Sequence, residues 1–196
     1  MFPVGNLQAN CYVVYGEEEG KCFLIDPGAS STALDTFLSN FNLTPEYIVL
    51  THGHFDHTGG VKYLRVDFPE IKVIAHENEK LLLSETSMSG AKQPLEADIW
   101  VKDGEVRTLC GVECKFLFTP GHTPGGMCIL CDDIVFSGDT LFAQSVGRTD
   151  LPGGNYTKLV NSIRTQLFAL PGDTAVFPGH GDDTTIAEEK TYNPYV

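Results

Sequence analysis

A layered α/β or α+β domain is the fold class this sequence predicts, on three observations. Short β-branched or aromatic runs alternate with helical stretches. No internal repeat, low-complexity tract or long linker divides the 196 residues, so one domain over residues 1–196 is expected. Hydrophobic residues make up 42% and charged residues 20%, the balance of a packed core under a polar surface.

The elements follow in order. Asn10–Tyr15 and Lys21–Asp26 read as a hairpin around the polar Gly16–Gly20 turn, and Glu17-Glu18-Glu19 is a solvated stretch of that turn. Ser30 or Ser31 can cap a helix reaching about Phe41, because Ala33, Leu34, Phe37, Leu38 and Phe41 keep a 3.6 period. Tyr47–Thr51 is a strand, and a helix is expected from Thr58 to Phe68, stopped by Pro69. Ile71–Ala75 is the next strand, followed by a helix over Glu77–Glu85. Thr86–Ala97 is polar and holds Gly90 and Pro94, which predicts an exposed loop. The second half adds strands at Ile99–Val101, Val112–Thr119, Gly126–Leu130 and Asp133–Ser137. A helix from about Tyr156 to Leu170, a strand at Ala175–Pro178 and a helical turn from Thr184 complete the chain.

Against 26 acidic side chains stand 13 basic ones, giving a net charge of −13. Such a field repels phosphate backbones and anionic lipid, so nucleic-acid and membrane partners are not expected. No apolar run approaches the roughly 20 residues that span a bilayer. Met1–Asn10 lacks the basic end and apolar stretch of a secretory signal, so a cytoplasmic protein is expected. Cys110, Cys114, Cys128 and Cys131 have the outline of a zinc ribbon. If the second pair lies on a strand, however, residues three apart face opposite ways. The six cysteines are therefore read as buried thiols.

The informative feature is what ends each apolar run. Tyr47-Ile48-Val49-Leu50 leads into Thr51-His52-Gly53-His54-Phe55-Asp56-His57, and Phe116-Leu117-Phe118 into Thr119-Pro120-Gly121-His122. Ile134-Val135-Phe136 leads into Ser137-Gly138-Asp139, and Ala175-Val176-Phe177 into Pro178-Gly179-His180. Each of these strands leaves a metal-type ligand beside glycine, at the strand end where α/β sheets place their sites. Imidazoles with carboxylates suit zinc, and also iron or manganese. Seven ligands, His52, His54, Asp56, His57, His122, Asp139 and His180, suffice for two ions if one carboxylate bridges. His76, the remaining histidine, lies between a strand and a helix and is read as a cap or a hydrogen-bonding support. Asp26, before Pro27-Gly28, either orients a ligand histidine or serves the turn.

These strings resemble the signature of the metallo-β-lactamase fold superfamily and, within it, the glyoxalase II-like hydrolases. The likeness runs from about Asn10 to the last residues. It implies a four-layer αβ/βα sandwich of two mixed β-sheets flanked by helices. It also implies one metal held by His52, His54 and His122, a second held by Asp56, His57 and His180, and Asp139 bridging. Two divalent ions, zinc foremost, are the cofactors so implied, with Asp56 and Asp139 at the centre of the chemistry. An aspartate at position 139 differs from the cysteine common in the β-lactamases themselves. Glyoxalase II enzymes add a C-terminal helical region, whereas 16 residues follow His180 here, with Lys190 their sole basic one.

A water shared by two such ions is acidified towards neutrality and becomes a hydroxide nucleophile without a protein base. A thiolate leaving group, with a parent pKa of about 8.5, departs without a strong acid. A small anionic acyl thioester is therefore the expected substrate and thioester hydrolysis the expected activity. Arg148 matches a substrate-binding basic position of glyoxalase II enzymes, but with Asp150 two residues on it can equally form a salt bridge within its loop. The rival expectations are a lactonase and a persulfide dioxygenase, the latter holding one iron through the positions of His52, His122 and Asp139.

Overall fold

The structure, a computed structural model, describes residues 1–17 and 19–196. Each half of the chain builds one mixed six-stranded sheet. The first half contributes β1 (Phe2–Val4), β2 (Ala9–Val14), β3 (Lys21–Ile25), helix α1 (Thr32–Asn40), β4 (Thr44–Val49), α2 (Phe55–Thr58), α3 (Val61–Asp67), β5 (Lys72–His76), α4 (Lys80–Ser84), α5 (Thr86–Ser89) and β6 (Ile99–Val101). Its strands lie in the order β1-β2-β3-β4-β5-β6, antiparallel as far as β3 and parallel from there on. The second half contributes β7 (Val106–Leu109), β8 (Val112–Phe118), β9 (Met127–Cys131), β10 (Ile134–Gly138), the hairpin β11 (Leu141–Phe142) and β12 (Ser145–Val146), α6 (Tyr156–Ser162), β13 (Ala175–Pro178), β14 (Thr184–Thr185) and α7 (Ile186–Tyr192). Its sheet runs β14-β13-β10-β9-β8-β7, with β10 and β13 the parallel pair.

Strand alternation explains the four layers. In β3, Phe23 and Ile25 join Val49, Phe116, Ile129 and Phe136 between the sheets. Their neighbours Cys22 and Leu24 face the other way, against Leu34 and Leu38 of α1 and Val61 and Leu64 of α3. In the second sheet Leu117, Cys128 and Val135 turn outward onto Leu159, Ile163 and Leu167. This is the period-2 pattern of sheets buried on both faces, and it is the αβ/βα sandwich. Cys128 and Cys131 accordingly sit on opposite faces of β9. All six cysteines are free and buried, and among the described residues no candidate metal cluster contains one. They pack as small apolar groups, and burial pushes the Cys128 thiol up to about 11.

Several elements depart from the sequence expectations. The helix expected from Thr58 to Phe68 divides into α2 and α3 at Gly59-Gly60. There the Asp26–Ala29 loop crosses, Gly60 N donating to Pro27 O at 2.8 Å, and a β-carbon at either glycine would strike that loop's carbonyls. The Glu77–Glu85 helix opens with a 3-10 turn over Glu77–Glu79, capped by His76 Nδ1, which accepts from Asn78 N at 3.2 Å. The expected loop after Thr86 begins with α5, and α6 continues into a π-helical turn over Ile163–Leu167. Strands β1, β7 and β14 and the β11–β12 hairpin were not anticipated: they are short, β1, β7 and β14 lie at sheet edges, and the helix expected from Thr184 begins at Ile186. Glu17 and Glu19 are exposed as expected of a solvated turn, while Glu18 lies outside the described residues.

Phe116 is fully buried between the sheets. Phe116→Ala is expected to lower the unfolding free energy by about 3–5 kcal/mol, read from urea denaturation. A loss under about 1 kcal/mol would mean that the two sheets do not pack on this ring.

Candidate metal centre

The ligand-bearing loops leave the ends of β4, β8, β10 and β13, one strand from the first sheet and three from the second. Hydrogen bonds between the sheets hold these ends together. Met127 N, at the start of β9, donates to Thr51 O at 2.9 Å. At the other side β2 clamps the His180 loop: Asn10 N donates to Gly179 O (2.7 Å), Asn10 Nδ2 to Pro178 O and Gly181 O (3.0 Å each), and Tyr12 OH to Pro178 O (2.6 Å). Gly179 must be glycine here, because a β-carbon would collide with Asp139 Oδ1 and lie 2.8 Å from His57 Cε1.

Two carboxylates that are not themselves in the predicted ligand set organise the loops. Asp26, in the left-handed region that Asp tolerates better than most residues, has φ 49° and is buried. Its Oδ1 accepts from Thr51 N at 2.8 Å, and its Oδ2 accepts from the Thr51 hydroxyl and from His57 Nδ1 at 2.9 Å. Of the two expectations for Asp26, orienting a ligand histidine is the one realised. Glu79 is the residue the sequence reading missed. Its Oε2 accepts from Gly53 N at 2.9 Å, while Oε1 accepts from Gly125 N and the Thr123 hydroxyl at 2.6 Å each. It thereby ties the His52–His54 loop to the His122 loop. Burial pushes the Glu79 carboxyl up, and the three hydrogen bonds pull it partly back.

All seven predicted ligand side chains converge. His52 Nε2 lies 3.3 Å and His54 Nδ1 2.9 Å from His122 Nε2. A tetrahedral ion with bonds of 2.0–2.1 Å to nitrogen would set such edges at about 3.4 Å. Three rings are anchored through Nδ1 and present Nε2: His52 to the Thr51 hydroxyl (3.0 Å), His57 to Asp26, and His122 to the Arg148 carbonyl (2.7 Å). Asp56, His57 and His180 form the second cluster, with His180 Nε2 3.3 Å from Asp56 Oδ2. Between the clusters lies Asp139, its Oδ1 3.4 Å from His57 Nε2 and its Oδ2 3.5 Å from His122 Nε2. His57 Nε2 and Asp139 Oδ1 are buried without a hydrogen-bond partner, as is His54 Nε2. Buried polar atoms are rarely left so, and a cation between the first two satisfies both.

The two clusters differ electrically. Burial and neighbouring imidazoles hold His52 well below the ordinary histidine value, and burial with His122 holds His54 at about 4. These rings are neutral donors, the form a metal requires. Burial also pushes His57 down, but Asp139, Asp26 and Asp56 outweigh it and carry the ring up to about 9. Burial would raise Asp56, yet its hydrogen bond with His180 and the nearby His57 bring it to about 2. The carboxylate side is built to hold positive charge.

Arg148 takes the loop salt bridge: Nε and one terminal nitrogen bond Asp150 at 2.7 and 2.8 Å on the exposed surface. It enters the centre through its carbonyl on His122. His76 joins no cluster; its ring stacks on Phe118 at 4.3 Å.

An αβ/βα sandwich with clustered imidazoles and carboxylates at its strand ends defines a metal-binding protein of the metallo-hydrolase kind, and the donor set suits divalent ions. The chain matches the metallo-beta-lactamase superfamily over residues 4–180 and belongs to it. It is 37% identical to a probable metallo-hydrolase, YqgX, of Bacillus subtilis, the match covering 99% of this chain and 95% of that protein. It is 35% identical to the hydroxyacylglutathione hydrolase GloC of Haemophilus influenzae, covering 100% and 96%. Among solved structures it is similar to the B3 metallo-beta-lactamase BLEG-1 (TM-score 0.92, 37% identity, 99% and 97% covered). TTHA1623 in a di-iron-bound form gives 0.83, 37%, and 100% of both chains. ETHE1 from Myxococcus xanthus gives 0.81, 31%, and 96% and 79%.

Asp26→Ala frees the His57 ring to turn, and metal affinity is expected to fall about 10–100-fold in a chelator-competition titration. Glu79→Ala leaves buried amides without an acceptor and is expected to cost about 1–3 kcal/mol of stability, read from urea denaturation. Unchanged affinity and stability would show that neither carboxylate organises the ligand loops.

Proposed function

We propose that this chain is a dinuclear metal-dependent hydrolase of a small anionic acyl thioester. His52, His54 and His122 would hold one divalent ion, and Asp56, His57 and His180 the other, with Asp139 shared. Zinc leads the candidate metals by donor chemistry, with iron or manganese next. The observation that carries the reading is Asp139, which lies between the clusters: Oδ1 is 3.4 Å from His57 Nε2, and Oδ2 is 3.5 Å from His122 Nε2 and 3.8 Å from His180 Nε2. Bound at this donor set, such ions supply a Lewis acid for the carbonyl and a water of lowered pKa.

The residues do the rest. Neutral His52 and His54 offer lone pairs without the cost of losing a proton. Asp26 fixes His57 in the tautomer that presents Nε2. Asp56 and Asp139 are both only partly buried, and their carboxylates would balance the positive charge of the ions. Departure of a thiolate asks for no strong acid, so this set suffices for a thioester. Arg148 is a secondary anion contact, engaged when a substrate carboxylate exchanges with Asp150. The hydroxyacylglutathione hydrolase among the relatives supports the thioester part, and the net charge of −13 supports a small molecule over nucleic acid. Among the described residues no helix is long and apolar enough to cross a membrane, in keeping with a cytoplasmic enzyme.

The alternative, a persulfide dioxygenase, would use His52, His122 and Asp139 alone. The complete second cluster favours hydrolysis. Elemental analysis of protein purified without added metal is expected to give two ions per chain, with turnover of S-lactoylglutathione exceeding that of homoserine lactones and nitrocefin. One iron per chain with oxygen uptake on glutathione persulfide would overturn the proposal. Asp139→Ala is expected to lose bound metal and more than about a hundredfold of the turnover, beyond what losing a mere ring-orienting partner costs.

A further inference from the structure

A cavity of about 420 Å³ is lined by Phe55 and Thr58 of α2, the helix that also carries Asp56 and His57. Its walls are Gly28–Ser30, parts of α2 and α3, and the loop from Gly90 to Leu95. Phe55 stands in the chain between His54 and Asp56, Thr58 directly follows His57, and Gly28 of the lining packs against the Asp56 backbone carbonyl, so the cavity adjoins the segment that carries these residues. The volume falls within the roughly 300–1,000 Å³ of small-molecule sites.

Its charge is the reverse of the protein's. Lys62 and Lys92 are the charged residues of the lining, and no carboxylate is among them, in a chain whose acidic groups outnumber the basic 26 to 13. Lys62 Nζ is held 4.7 Å over the centre of the Tyr63 ring, itself part of the wall. Among the described residues neither lysine is paired with a carboxylate. The remaining walls are largely apolar or glycine. By contrast Asp26, Asp56 and Asp139 lie around the metal centre.

We infer that this cavity binds the anionic end of the substrate's thiol portion, a flexible chain bearing carboxylate or phosphate that Lys62 and Lys92 pair with while the acyl carbon sits at the metal centre. This rests on the thioester reading. A carboxylate or phosphate placed near Asp56 and Asp139 would be repelled, whereas Lys62 and Lys92, without a carboxylate partner among the described residues, would accept it.

The test compares the metal-loaded wild type with Lys62→Gln/Lys92→Gln, both exposed positions, on three lactoyl thioesters. S-lactoylglutathione carries carboxylates, lactoyl-coenzyme A phosphates, and S-lactoyl-N-acetylcysteamine no charge. The KM of the anionic substrate is expected to rise about tenfold with kcat within twofold, the uncharged thioester is expected to be unaffected, and Lys62→Arg/Lys92→Arg is expected to restore the wild-type KM. Whichever anionic thioester responds identifies the anion. An unchanged KM on both, or an equal rise on the uncharged one, overturns the assignment. Calorimetry with S-methylglutathione and with free coenzyme A judges the cavity apart from catalysis. If no thioester turns over, the hydrolase reading fails; binding that Lys62→Gln/Lys92→Gln abolishes still supports the cavity. Equal binding to both proteins, or none to the wild type, contradicts it.

Discussion

Ligands drawn from two separate sheets can meet only if those sheets are locked together at one end, and the rest of the structure depends on that lock. It consists of a few hydrogen bonds: Met127 N to Thr51 O, Asn10 and Tyr12 to the Pro178–Gly181 backbone, and Glu79 between two loops. The inter-sheet core supplies the attraction, since Phe23, Phe116, Ile129 and Phe136 leave water together, but apolar burial has no direction. The hydrogen bonds set where strand ends stop relative to one another, and so set the donor spacing.

The same economy governs the charges. Placing three aspartates and several imidazoles in a mostly buried cluster is costly unless each is paired. Asp26 is hydrogen-bonded by Thr51 and His57, and together with Asp139 and Asp56 it favours positive charge on the His57 ring. His54 Nε2, His57 Nε2 and Asp139 Oδ1 are what remains among the described residues, and a divalent ion would answer the last two. A neutral imidazole side and an anionic side then divide one site into two unlike halves. The cationic cavity behind Phe55 continues that separation of charge outward.

The convergence of these side chains was legible in the sequence because they follow the ends of apolar runs, five of the seven directly beside glycine. His52, His54, Asp56 and His57 share one turn, and His122, Asp139 and His180 each repeat the pattern. What was not legible is tertiary. Asp26 before Pro27-Gly28 looks like any turn residue until Thr51 and His57 are seen to donate to it. Glu79 lies in Glu77-Asn78-Glu79-Lys80, which reads as surface, and only the docking of Gly125 onto that turn buries it. The edge strands β1 and β7, three and four residues long, are too short to show a period, and the break between α2 and α3 comes from a loop that crosses from elsewhere. Arg148 had two readings from sequence, and its bidentate bond to Asp150 realises the local one.

Anomalous diffraction from crystals grown with native metal tests the central claim most directly. The account predicts two ions about 3.5–4 Å apart, with Asp139 Oδ1 and Oδ2 on different ions and His57 Nε2 and His122 Nε2 on opposite sides. A single ion held by His52, His122 and Asp139, with His180 turned away from Asp56, would contradict it.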